Sequence, residues 1–190
     1  MDSTVSLFEG IEQYKVADGR EHSCFFTGHR VLPAAYKPAL LRRLKATVSY
    51  LYAKGVTDFH AGGALGFDTL AAMQIIDMRR GHPGMRLILD LPYPTQSNRW
   101  SRDEQRVYGF ILSSADERRY ACAGKPENAD AARRYLFTRN RTMVEASLYG
   151  VAYYSGAKGG TAYTVVHAEK CGCEIINLYP ELAGYAPATE

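Results

Sequence analysis

β-prone runs alternate along this chain with segments of helical period, and several of the runs close on glycine-rich turns. These observations predict an α/β fold: a Rossmann-like, doubly wound, mostly parallel sheet with helices on both faces. Helix-length connections between successive strands require crossovers, which imply parallel pairing with right-handed connections.

The first strand covers residues 22–27, His22-Ser23-Cys24-Phe25-Phe26-Thr27, and ends at Gly28. Leu40, Leu44, Val48 and Leu51 then recur at three- and four-residue steps, the period of an amphipathic helix. Pro38 suits its first turn and Gly55 its C-terminal cap. Residues 56–61 read as the second strand, broken by Gly62-Gly63, with a helix over 66–80. Residues 85–91 read as the third strand, stopped by Pro92. A helix over 101–114 is expected to turn Val107, Phe110 and Ile111 inward, and 128–146 is helical in one or two pieces. A strand over 148–154, a helix over 161–169 and a strand over 174–178 complete the series. Residues 1–21 carry little pattern and read as a loose lead-in, which Phe8 and Tyr14 would dock onto the body. Residues 22–190 read as one domain.

The 190 residues are 46% hydrophobic and 23% charged, ordinary globular usage. No apolar stretch is long enough for a membrane span, and the start lacks a signal-peptide pattern, so the expected location is cytoplasmic with no membrane partner. The net charge of +3 is weak. Basic residues fall in scattered pairs, Arg118-Arg119 and Arg133-Arg134 among them, which read as solvated faces. A nucleic-acid binder would show a continuous basic stripe, so nucleic acid is not the expected partner. Cys171-Gly172-Cys173 has no second Cys/His pair at zinc spacing, and no metal is expected. Cys24 reads as a small core residue.

Three turns carry the chemistry. Thr27-Gly28-His29-Arg30 follows the first strand, Gly62-Gly63-Ala64-Leu65-Gly66 follows the second and opens a helix, and residues 156–160 follow a late strand and open another. In an open parallel sheet ligands bind outside the carboxyl ends of the strands. Glycine admits a phosphate close to backbone N–H groups, and a helix N-terminus adds partial positive charge. The spacing is neither G-x-G-x-x-G nor G-x-x-x-x-G-K-[ST], so neither a standard dinucleotide dehydrogenase nor a P-loop NTPase is supported, and no cofactor is expected.

Taken together, four segments resemble the YpsA-like family of the SLOG superfamily: residues 26–30 (Phe26-Thr27-Gly28-His29-Arg30), 63–72 (from Gly63-Ala64-Leu65-Gly66-Phe67-Asp68), 139–144 (Arg139-Asn140-Arg141-Thr142-Met143-Val144) and 159–165 (from Gly159-Gly160-Thr161). Pro92-Tyr93-Pro94-Thr95-Gln96, followed by Trp100 and Gln105, resembles that family's third-strand loop. The superfamily includes the LONELY GUY phosphoribohydrolases, the DNA-processing protein DprA and domains proposed to sense nucleotide-derived signals. The resemblance implies a Rossmann-like fold and a nucleotide-like small-molecule partner. Gly159-Gly160-Thr161 resembles the phosphate turn of the LONELY GUY enzymes, one residue tighter, and Arg139 resembles their catalytic arginine. Their glutamate after that turn has no counterpart, because Ala162, Tyr163, Thr164 and Val165 carry no carboxylate.

The expected ligand site is therefore Thr27, Gly28, His29, Arg30, Gly62, Gly63, Gly66, Asp68, Pro92, Tyr93, Gln96, Arg139, Asn140, Gly159, Gly160 and Thr161. His29 either donates to a phosphate or acts as an acid/base near neutral pH, or it bonds a neighbouring loop. Asp68 either serves the ligand or caps the helix after Gly66. Asn140, a poor mid-helix residue, points to a polar contact inside the fold. Trp100 stacks on a base or packs in the core. Gly160 is expected to hold the close backbone approach, with freedom for positive φ. The expected function is binding of a nucleotide-derived phosphorylated ligand, as a sensor or sequestering module. The alternatives are a nucleotide N-glycosidase or phosphoribohydrolase, and a DprA-like single-stranded DNA binder. A homo-oligomer is compatible with all three.

Overall fold

The computed structural model describes residues 19–179. The suggested lead-in and the docking of Phe8 and Tyr14 lie outside the described residues, apart from the last three residues of that lead-in. In chain order the elements are β1 (Ser23–Gly28), α1 (Lys37–Ala53), β2 (Asp58–Ala61), α2 (Phe67–Met78), β3 (Arg86–Leu91), α3 (Arg102–Ser114), β4 (Glu117–Tyr120), α4 (Ala129–Glu145), β5 (Tyr149–Tyr153), α5 (Gly160–Lys170) and β6 (Glu174–Asn177). Within the described residues the sheet has six strands in the order β4-β3-β2-β1-β5-β6. Every neighbouring pair is parallel.

The central strands are covered on both faces, so they read as continuous apolar runs. Cys24, Phe25 and Phe26 of β1 and Leu87, Ile88 and Leu89 of β3 have no exposed surface. Side chains alternate across the sheet. Cys24 and Phe26 join the large core beneath α1, α2 and α3, whereas Phe25 joins a small cluster with Met143, Val144 and Ala168 beneath α4 and α5. At the amino edge the buried Arg20 ties the layers, donating through Nε and Nη2 to the Ser147 carbonyl at 3.1 and 2.7 Å. The connection order reverses at β1, whose neighbours are β2 and β5. That switch point opens a crevice at the carboxyl edge.

Two local expectations are corrected and one open alternative is decided. Residues 117–120 form β4, which the sequence pattern does not announce. Glu117-Arg118-Arg119-Tyr120 is an edge strand, and charge there guards against further pairing. Its charges close on neighbours, with Glu117 accepting from Arg86 at 3.2 Å and from Arg119 at 2.6 Å. In α3 the buried residues are Tyr108 and Ile111, while Val107 and Phe110 are exposed. The Tyr108 hydroxyl meets Gln96 and its ring meets Trp100 at 5.1 Å, which fixes the rotation of the helix. Finally, α4 is one helix, capped by Asn128, whose side chain accepts from the Ala131 amide at 2.8 Å.

Gly150 in β5 exists for packing: a Cβ there would lie 2.6 Å from Cε1 of the buried Phe25 ring. We expect Gly150→Ala to lose about 1–3 kcal/mol through overpacking, measured as a lower urea midpoint at unchanged slope.

Candidate functional site

A cavity of about 400 Å³ occupies the carboxyl-edge crevice. Three segments wall it: the β1 end with its turn (Thr27, Gly28, His29, Arg30), the loop into α5 (Ala157, Lys158, Gly159, Gly160, Thr161), and one face of α4. On α4 the lining residues Arg133, Leu136, Phe137, Asn140 and Met143 recur at helical spacing, and Arg139 joins them from beneath. Ala64 and Asp68 close the inner end.

Arg139 is the structural centre of this site. It is 5% exposed, and its Nη1 donates to the Gly62 carbonyl and lies 3.8 Å from Asp68 Oδ2. A Cβ on Gly62 would fall on the guanidinium, so only glycine fits there. Gly63, at φ 65°, and Gly66, at φ 82°, bend the chain between β2 and α2. Asp68, 6% exposed, is the second residue of α2 and accepts from the Ala64 amide at 3.4 Å. The helix cap is Gly66, without a side-chain bond, so Asp68 braces the turn rather than capping α2 in the ordinary way. Burial pushes the Asp68 carboxyl above its ordinary 3.8, against the opposing pull of Arg139 and of the Ala64 and Gly62 amides. Burial likewise pulls the Arg139 guanidinium down, opposed by Asp68 and by Asp90. Asp90 on β3 pairs with His60 on β2 at 2.7 Å, both 2% exposed. Among the described residues Asp90 Oδ1 and Arg139 Nε are buried without a hydrogen-bond partner.

The remaining expected residues divide. His29 Nε2 accepts from the Ser155 amide at 2.9 Å. Through this bond the ring braces the loop between β5 and α5. Asn140 lines the cavity without a hydrogen bond to the described residues. Gly159 has φ 147°, whereas Gly160 is the first helical residue with open space where a Cβ would stand. The conformational demand for glycine is therefore at Gly159 and not at Gly160. α5 begins without a side-chain cap, leaving its first amides unbonded by any side chain among the described residues. Gly28 lines the cavity but must be glycine for packing, since a Cβ would lie 2.6 Å from Phe67 Cβ.

Six expected residues do not line this cavity. The Gly62–Gly66 turn spends its space on Arg139 and on the packing of Gly66 against the Arg30 backbone, so it is no open phosphate cradle. Gln96 donates to Tyr108 Oη at 2.7 Å and to the Gly63 carbonyl at 3.4 Å, buttressing that turn. Pro92 accepts from the Cys122 amide at 3.0 Å, and Tyr93 accepts from the Gln96 amide at 3.4 Å. Trp100 packs against the large core. Conversely, Arg133, Phe137 and Lys158 line the cavity and were missed. The signal for Arg133 and Phe137 was their spacing of four on the helix that carries Asn140. Lys158 stood inside the glycine-rich run itself. Among the described residues no three His, Cys, Asp or Glu side chains converge as a metal site, and no helix is long and apolar enough to cross a membrane.

An open parallel sheet with a cation-lined crevice at its switch point defines a Rossmann-like α/β protein of the kind that presents ligand sites at its carboxyl edge. The chain belongs to the YpsA family of the SLOG superfamily: a family model described as "YspA SLOG family" matches residues 35–174. It is 32% identical over 133 residues to the uncharacterized SPbeta prophage-derived protein YoqJ of Bacillus subtilis, spanning 65% of this chain and 77% of that protein. It is 29% identical over 143 residues to a UPF0398 protein of Bacillus thuringiensis, spanning 75% of this chain and 73% of that one. DprA from Streptococcus pneumoniae shares the fold with a TM-score of 0.58 at 13% identity, over 85% of this chain and 53% of that one. DprA from Helicobacter pylori, solved for its single-stranded DNA binding mode, gives a TM-score of 0.56 at 16% identity, over 82% of this chain and 64% of that one. This chain thus spans about half to two-thirds of those DprA chains.

The raised Asp68 carboxyl sets a pH dependence. A carboxyl whose folded pKa lies above its unfolded value stabilises the fold fully below the unfolded value, and that stability is lost as pH rises through the folded one. Asp68→Asn removes this contribution. We expect the unfolding free energy of wild type to fall relative to Asp68→Asn as pH rises from about 3.8 upward, read from urea titrations at matched pH.

Proposed function

We propose that this protein binds a nucleotide-derived phosphorylated small molecule in the carboxyl-edge cavity, as a sensor or sequestering module. The observation that carries the reading is the uncapped N-terminus of α5 facing a cavity lined by Arg30, Arg133, Lys158 and Arg139, with Asp68 the only carboxylate among the described residues that line it. Helix amides and guanidinium groups together favour a phosphate. Phe137, edge-on to Tyr163 at 4.6 Å, Leu136 and Met143 supply apolar surface for a base or sugar face. Binding to the folded state alone raises the melting temperature with ligand concentration. A thermal-shift series over nucleoside monophosphates, ADP-ribose, NAD and cyclic nucleotides tests the reading, and no shift at millimolar ligand overturns it.

Lys158→Ala removes one charge-assisted hydrogen bond, worth about 1.5–3 kcal/mol. Calorimetry should show binding weakened by roughly 10–100-fold with the melting temperature of the free protein unchanged, because Lys158 is exposed. Gly159→Val should abolish binding through strain at φ 147°.

One observation favours a second reading, a nucleotide N-glycosidase: Asp68, with its raised carboxyl, lines the same cavity beside Arg139. Arg139 stays protonated and cannot be the base, so the acid/base task would fall on Asp68 or His29, and both are already engaged, Asp68 by the Ala64 amide and His29 by the Ser155 amide. We expect no release of base from adenosine or cytidine monophosphate near 1 s⁻¹, the low end for ordinary enzymes. Release at that rate, lost in Asp68→Asn, establishes the enzyme instead.

A further inference from the structure

Four ionisable side chains gather at the inner end of the carboxyl-edge cavity: His60 on β2, Asp68 on α2, Asp90 on β3 and Arg139 on α4. Each is 6% exposed or less. The pleat of the sheet brings them together. Phe59, Ala61, Leu89 and Leu91 join the large core, so His60 and Asp90, which alternate with them, point to the opposite face, where α4 packs on β3. There Asp90 Oδ2 lies 2.7 Å from His60 Nδ1, and Arg139 Nη1 lies 3.8 Å from Asp68 Oδ2 and feels the charge of Asp90.

The charges of this cluster do not balance by themselves. The guanidinium is always positive, and it is shared by two carboxyl groups. Unless a proton resides on Asp68 or His60, an excess negative charge is buried, which is costly away from water. Two other groups act on the cluster. Arg30, exposed on the loop after β1, attracts Asp68 and repels Arg139 from the mouth of the cavity. Tyr108 on α3 also acts on Arg139, and burial holds its hydroxyl in the neutral form.

Only Asp68 and Arg139 of the four line the cavity. Asp68 therefore competes with any bound phosphate for the guanidinium. Arg139 Nε has no partner among the described residues, so the guanidinium still has a donor to give. A phosphate that takes Arg139 as its counter-charge leaves the Asp68 carboxylate facing an anion, and a proton relieves that repulsion. Burial already favours the neutral carboxyl.

We propose that ligand binding in this cavity is coupled to proton uptake by Asp68, so that the protein holds its ligand more tightly as pH falls. The proposal rests on the phosphate reading of the cavity. The coupling is reciprocal: a ligand that makes Asp68 hold its proton about tenfold more tightly is itself held about tenfold more tightly by the protonated form.

Calorimetry of NAD and ADP-ribose binding to the full chain, repeated at one pH in buffers of different ionisation enthalpy, counts the protons taken up. The phosphates of these ligands carry no group that titrates near neutrality, so the protons counted belong to the protein. We expect net uptake, with affinity weakening by up to about tenfold per pH unit as pH rises. Asp68→Asn is a permanently neutral stand-in for the protonated carboxyl. It should lose both the uptake and the pH dependence and bind at least as tightly as wild type. Should only a monophosphate bind, its own proton change is common to wild type and Asp68→Asn, and the difference between them isolates the carboxyl. If Asp68→Asn does not fold, His60→Asn decides: uptake should persist in it, and loss of uptake there overturns the inference. Binding by wild type without proton uptake also overturns it and leaves the phosphate reading intact, as does uptake that Asp68→Asn retains in full. No binding by any nucleotide of the thermal-shift series overturns the phosphate reading itself, and this coupling with it.

Discussion

Arg139 is held at 5% exposure between α4 and the turn after β2, and much of the architecture follows from holding it there. A guanidinium taken out of water must be given acceptors and counter-charge, because an unpaired buried charge costs several kcal/mol. The Gly62 carbonyl supplies the acceptor and Asp68 the counter-charge, with Asp90 adding a longer-range pull. Those demands account for glycine at 62 and for a carboxylate on the first turn of α2. They also fix the rotation of α4, since a helix with residue 139 against the turn presents residues 133, 136, 137 and 140 to the crevice.

The two faces of the sheet are held by different means. Beneath α1, α2 and α3 lies the larger apolar core, built from β1, β2, β3 and the inner stripes of the helices. Beneath α4 and α5 the buried apolar cluster is small, centred on Phe25, Met143, Val144 and Ala168. That layer leans on polar anchors at its two ends, Arg20 at the amino edge and Arg139 at the carboxyl edge. A thinly packed layer over a switch point leaves room for a cavity, and the cavity lies on that side of the sheet.

The parts of the site legible in the sequence were those whose physics is local. A glycine at a strand end, a helix that begins straight after it and an asparagine in mid-helix each carry their signal within a few residues. Arg133, Phe137 and Lys158 were missed because their role depends on which face of α4 turns to the sheet and on where the loop before α5 comes to rest. Gln96 and Gly63 sit behind the cavity, as a brace for the turn that holds Arg139. β4 was invisible because an edge strand with charged residues has no apolar alternation to read.

By itself the sequence determined the alternation of strands and helices, hence the parallel sheet, and it determined that glycine-rich turns gather at one edge. Periodicity and chain connectivity suffice for both, since crossovers have one hand and strands have one direction. Only the tertiary structure decided what each turn does. The Gly62–Gly66 turn is filled by an arginine arriving from 77 residues further along the chain, whereas the turn into α5 stays open with its amides uncapped. No local pattern distinguishes a glycine that makes room for the protein's own side chain from one that makes room for a ligand. The distinction lies in which distant group comes to occupy the space, and packing settles that.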